Sequence, residues 1–280
     1  QGRHTLGACG FTVGVVVGDM ATGTAVAASP AGETPVFHKV TAKVVNNLVR
    51  DFQTAGIATM GLRTTVDVVQ NSLQFRHEND PFGCDTPASA SAVAPRKADR
   101  LRSLLSGLSP AGPGIPMNGD CFAFGVLDFA GTNGTVRYNE IWSAATTDFM
   151  PAGNRAPAYL LAGIAEFIQG AAVQEFTSGD LPAQSDAPVV RGNRIRGAIA
   201  GIALVGGDLV AVRDNIVRKA LAGVFVGGTH DARVSNNALR EAFVGIWVND
   251  DILNITGRDS MDSVISGNDI PGSQYMEVSC

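Results

Sequence analysis

Two carboxylates and two rows of arginines are the residues of this chain whose types and spacing could do chemistry. Asp128 and Glu166 each stand three residues beyond a glycine, in the matched segments Gly125-Val126-Leu127-Asp128 and Gly163-Ile164-Ala165-Glu166. If those segments lie side by side, the two acids cannot both ionise freely, and one keeps its proton near neutrality. That division of labour is what an acid/base pair needs, so Asp128 and Glu166 are the candidate catalytic residues. Arg137, Arg191 and Arg213 share one recurring position, and Arg196, Arg218 and Arg240 share another. Guanidinium groups stacked one strand apart suit repeating carboxylates or sulfates, which Arg binds bidentately. The plainer alternative is a solubilising row whose stems lie over their neighbours, with Asp214 and Glu241 nearby to pair with them. Phe225 and Trp247 recur at a third position, either as a stacking platform for sugar rings or as an apolar patch packed under an insertion or a partner chain.

What must position these residues is a repeat. Asn193, Asn215 and Asn237 lie 22 residues apart, and Gly201, Gly223 and Gly245 keep the same interval. An Asn-bearing strand, V-x-x-N-x-[I/V/L], also occurs at Val44/Asn47, Val68/Asn71, Val136/Asn139 and Ile265/Asn268. A Gly-led strand starts at Gly14, Gly56, Gly125, Gly163, Gly201, Gly223 and Gly245, and the two kinds alternate strictly along the chain. Units of this length cannot bury an apolar face alone and must stack as a solenoid. The asparagines have a structural role in that reading: a turn amide bonds local backbone and tolerates left-handed geometry, and stacked amides pair as a ladder.

On these motifs the chain resembles the right-handed parallel β-helix family, the pectate-lyase-like superfamily of polysaccharide enzymes, tailspikes and adhesins. The resemblance implies an all-β solenoid of about seven coils, with loop and helical insertions, over one domain spanning 1–280. It implies a polysaccharide partner, and the arginines make that partner an acidic one. Two versions follow. In one, the protein binds an acidic polysaccharide through Arg137, Arg191, Arg213, Phe225 and Trp247, or serves as a structural or adhesive surface element. In the other, it is a lyase, epimerase or hydrolase working through Asp128 and Glu166. The Gly-His-Gly and Arg-x-Lys signatures of polygalacturonase-like members do not occur, and Thr229-His230-Asp231 only approaches the Asp-Pro-His-Asp motif of the epimerases. No catalytic residue of the family is carried over.

The phase of the Gly strands sets an expectation for the acids. The first and third residues after Gly should face inward, as Ile202/Leu204, Val224/Val226 and Ile246/Val248 do. Thr59, Asp128 and Glu166 occupy the third place and are followed by Met60, Phe129 and Phe167. A local bulge is therefore expected to turn this polar column outward, into a cleft walled by insertions. Those insertions fall at 76–119 and 142–162. In the first, Leu101, Leu104, Leu105 and Leu108 keep the spacing of one apolar helix face.

Composition bounds the rest. A hydrophobic content of 45% with only 6% aromatics fits narrow coils filled by small aliphatics. A net charge of −5 argues against wholesale binding of nucleic acid, and no run is long and apolar enough for membrane insertion. The four histidines share no metal-ligand spacing with cysteine or with each other, so neither a metal nor another cofactor is expected. Cys84 and Cys121 flank the first insertion and a disulfide there would suit an extracellular or cell-surface protein. Opening at Gln1 and entering a strand almost at once, the chain looks processed or truncated. Its fold class is compatible with a homo-oligomer or a filament.

Overall fold

A computed structural model describes residues 13–18, 39–50, 52, 55–61, 64–75, 122–129, 133–143, 159–167, 188–249, 259–272 and 276–279. Every regular element among them is a β-strand, and the strands pair in parallel. Numbered in chain order, β2 (Val40–Val45), β5 (Thr64–Val69), β8 (Asn133–Arg137), β11 (Val189–Arg191), β13 (Ala211–Arg213), β15 (Arg233–Ser235) and β17 (Val264–Ser266) stack into a seven-stranded sheet. The larger, eleven-stranded sheet runs through β1 (Val13–Gly18), β4 (Ala55–Met60), β7 (Phe122–Phe129), β10 (Tyr159–Phe167), β12 (Arg194–Val205), β14 (Ile216–Gly227), β16 (Ala238–Asn249) and β18 (Met276–Ser279). Three short strands, β3 (Leu48–Arg50), β6 (Ser72–Phe75) and β9 (Glu140–Ser143), complete it by pairing in series onto the first part of β12. The chain thus visits the small sheet, turns a corner, runs along the large sheet and returns, which is a solenoid-like arrangement. The leucines of the expected helix, the four cysteines and most of both insertions lie outside the described residues.

The corner between the sheets explains the asparagine period. Asn46, Gln70, Tyr138, Gly192, Asp214, Asn236 and Gly267 all adopt φ between 54° and 66°. It is therefore the residue before each repeated Asn, not the Asn itself, that takes the left-handed conformation. The Asn that follows turns its amide into the corner. Asn193 Nδ2 donates to Asn215 Oδ1 at 3.0 Å, and Asn215 Nδ2 to Asn237 Oδ1 at 2.9 Å. Each Oδ1 also accepts the backbone N–H of the Asn one winding earlier, as Asn215 Oδ1 does from Asn193 at 2.9 Å. The pattern runs unbroken from Asn47 through Asn71, Asn139, Asn193, Asn215 and Asn237 to Asn268. A second Nδ2 bond reaches back to the carbonyl of a small-sheet valine, from Asn193 to Val136 at 2.8 Å for example. These five inner amides are at most 1% exposed, so the ladder satisfies what burial would otherwise penalise.

The glycine period has a different cause. A Cβ on Gly201 would lie 2.6 Å from the carbonyl oxygen of Gly223 and against the side chain of Val217. Gly125 meets Gly163 and Ile141 in the same way, so the column is glycine because backbone and core side chain already fill the space. The aliphatic two residues after each of the five inner asparagines, Leu73, Ile141, Ile195, Val217 or Leu239, is at most 2% exposed and fills the interior beside it. Ile57, Val126, Ile164, Ile202, Val224 and Ile246 complete that interior from the large sheet. A second apolar cluster, including Ala58, Leu127, Ala165, Ala203 and Phe225, lies on the opposite face of the same sheet. In the later windings the expected pair of strands is one continuous strand. β12, β14 and β16 are each 12 residues long and bend at Gly197, Lys219 and Glu241, whose φ values are 79°, 57° and 55°.

The ladder sets an expected outcome for mutation. Asn215→Ala strands the backbone N–H and one amide hydrogen of Asn193 in a buried corner, at about 1–3 kcal/mol per orphaned group. Denaturant unfolding should show a loss of roughly 3 kcal/mol, against under about 1 kcal/mol for Asn47→Ala at the exposed first rung.

Candidate functional site

Asp128 and Glu166 come together, as the matched segments require, but they face the other way. In the parallel register of β4, β7, β10 and β12, Thr59 aligns with Asp128, Asp128 with Glu166 and Glu166 with Leu204. Leu204 and its next partner Val226 belong to the interior cluster. The register runs without a shift through this stretch, so the expected bulge is absent and the column stays inward. Asp128 is 4% exposed and Glu166 1% exposed. The expectation of a solvent-facing pair in a cleft is corrected by that geometry: uninterrupted pairing with neighbours on both sides holds the strand phase and overrides the polarity of three side chains.

The interior handles the two acids locally. Thr59 Oγ1 donates to Asp128 Oδ1 at 2.7 Å. Glu166 hydrogen-bonds Asp128, while its Oε2 has no hydrogen-bond partner. Burial pushes the Glu166 carboxyl well above the usual carboxylate range, and the adjacent charge of Asp128 and the hydrogen bond to it push the same way. Glu166 is thus the protonated member, donating to the Asp128 carboxylate. The acid/base asymmetry anticipated for this pair is present, in a site lined by aliphatics and closed from solvent.

The arginines lie where expected. Arg137, Arg191 and Arg213 are register partners on β8, β11 and β13, and all three are exposed. Arg196, Arg218 and Arg240 are register partners on β12, β14 and β16, also exposed. The two columns sit on either side of the asparagine corner, rungs about 4.8 Å apart. Asp214, on the left-handed corner position, holds Arg191 Nε at 3.0 Å, and Asp269 approaches Arg240 at 3.8 Å. Among the described residues Arg137, Arg213, Arg196 and Arg218 make no ion pair. Arg194, exposed on β12, adds a further positive charge between the columns, and Glu140, its register partner on β9, offsets it.

Two aromatic residues beside these columns escaped the sequence reading. Trp142 is the register partner of Arg196, and Tyr138 occupies the left-handed corner between Arg137 and Asn139. The signal was present in Tyr138: it precedes a ladder Asn, at the position where Asp214 and Asn236 stand in later repeats. The aromatics that were singled out behave differently. Phe225 and Trp247 meet edge-to-face, ring centroids 5.6 Å apart at 86°, and Phe225 is only 8% exposed. Phe225 belongs to the second apolar cluster with half-buried Trp247 packed against it, so Phe225 offers little open surface to a sugar ring. His230 and Asp231 form a turn in which His230 bridges Asp208 and Met261 and Asp231 has φ 53°. Among the described residues no group of His, Cys, Asp and Glu is arranged to hold a metal ion.

The buried pair makes stability depend on pH. A carboxyl whose folded pKa is raised stabilises the fold fully below its unfolded value, and that contribution is lost as pH rises through the folded value. Chemical denaturation should therefore show stability falling from about pH 5 upward, by about 1.4 kcal/mol per unit for this one group. Glu166→Gln keeps the hydrogen bond to Asp128 without the proton and should flatten that slope. An unchanged slope would place the pH dependence elsewhere.

No protein-family model matches the chain, and no curated protein or solved structure matches it either.

Proposed function

We propose that this protein is a right-handed parallel β-helix of the pectate-lyase-like kind, extracellular or at the cell surface, that binds an acidic polysaccharide without processing it. One observation carries the reading: two columns of exposed, register-aligned arginines, Arg137–Arg191–Arg213 and Arg196–Arg218–Arg240, on either side of one corner. A chain of net charge −5 that concentrates arginine on one face has a local field unlike its average. The rung spacing is comparable to the length of one sugar residue, so a polyanion lying along the stack, across the strands, would meet a guanidinium at each step. Arg rather than Lys suits carboxylate and sulfate, because its planar fork makes two parallel hydrogen bonds.

The non-catalytic version is favoured by the position of the acids. Asp128 and Glu166 lie in the aliphatic interior, and a substrate bond would have to enter that interior to reach them. Asp214 acts on this surface as a competitor, holding Arg191 until a ligand carboxylate replaces it.

Direct binding to polygalacturonate and to heparin, followed by mass spectrometry of the polymer, tests both versions. Binding with unchanged polymer is the expected result; unsaturated or shortened products would establish the enzyme instead. Replacing Arg137, Arg191 and Arg213 together by Gln should weaken binding roughly tenfold or more at low salt, with the difference shrinking as salt rises. Asp214→Asn suits the same left-handed corner, frees Arg191, and should tighten binding.

A further inference from the structure

Tyr138 is out of character with its column. Five of the seven corner positions hold Asn, Asp or Gly, the residues that tolerate φ near +60°, and a bulky ring there is strained. Such an outlier points to a role beyond the turn itself. Tyr138 is also 50% exposed, so the strain is not repaid by deep burial. Its ring lies over the next corner: a Cβ on Gly192 would sit 2.6 Å from both Cδ1 and Cε1. Gly192, with φ 66°, leaves room for the ring, which rests on backbone with its other side toward solvent. On one flank stand Arg137 and its register partner Arg191, and on the other Glu140 and Arg194.

We infer that Tyr138 is the sugar-stacking residue of the arginine face. Its ring takes the C–H face of one pyranose, while Arg137 and Arg191 bind the carboxylate or sulfate of that residue and its neighbour. The inference rests on the polysaccharide-binding reading and adds to it a contact that distinguishes a glycan from any other polyanion. Guanidinium groups alone read charge. A flat apolar ring reads the apolar face of a sugar, at little cost in side-chain entropy. Glu140, two residues along, is placed to accept from a sugar hydroxyl.

Titration calorimetry on the full chain tests this with two probes: an acidic glycan (oligogalacturonate or a heparin oligosaccharide, whichever binds the wild type more tightly) and linear polyphosphate. Tyr138→Asn puts at this corner the residue that Asn46 and Asn236 already supply, so the variant should fold normally. It should weaken glycan binding roughly 3- to 10-fold and leave polyphosphate binding unchanged, while Tyr138→Phe retains the glycan affinity. Unchanged glycan affinity in Tyr138→Asn overturns the stacking role and leaves the arginine reading intact. Equal weakening of both probes also overturns it, because the ring would then be shaping the site and not touching sugar. A wild type that binds polyphosphate but no glycan, or neither, overturns both readings together.

Discussion

The asparagine ladder is the interaction on which the rest of this structure depends. Each amide oxygen accepts two N–H groups from the preceding winding, one from backbone and one from side chain. A slip of one residue in any winding would break both and would turn every strand side chain to the opposite face. The ladder holds only because the residue before each Asn bends the chain into the left-handed region, aiming the amide along the stack. A chain of amides in a buried corner also polarises along its length, each bond strengthening the next. Registration of this kind converts a loose sequence period into columns of side chains separated by one strand spacing.

Columns leave little freedom to individual residues. Thr59, Asp128 and Glu166 stand in the same column as Leu204 and Val226, and they go into the interior with them. Two carboxyl groups among aliphatics are costly as charges, and the interior accepts them by keeping a proton on one, donating to the other from Thr59, and leaving one oxygen unpartnered. Replacing one member by a side chain that can neither donate nor accept would leave a buried charge or hydroxyl without its complement.

Outside, the same registration multiplies charge. A single exposed arginine exerts a weak and well-screened field, whereas a column of them presents a continuous linear one. The corner concentrates this effect, since the ends of the small-sheet strands and the starts of the large-sheet strands both display arginine there. Aromatic surface enters where one corner residue departs from its column, and the glycine beside it gives way to the ring.

The periods of Asn and Gly were enough, by themselves, to determine that the chain is all-β, wound and stacked, which residues share a column, and that Arg137, Arg191 and Arg213 stand on the surface. These follow from spacing, because a repeat that stacks in register makes every equivalent position a neighbour. The direction in which a polar column points was decided only in the tertiary structure. Read locally, Asp128 and Glu166 followed by phenylalanines favour a shifted phase; in the sheet, pairing on both edges makes a shift cost hydrogen bonds in adjoining windings, and the acids go inside. The burial of Phe225 was equally beyond the sequence, since it depends on what packs on the outer face of the large sheet. So was the ring of Tyr138 lying across Gly192, a contact between residues 54 positions apart along the chain, set by the same offset that separates Asn139 from Asn193. Position within a column is a one-dimensional property that the sequence carries. Orientation and cover arise from packing in three dimensions, where neighbouring windings outweigh the preference of any single residue.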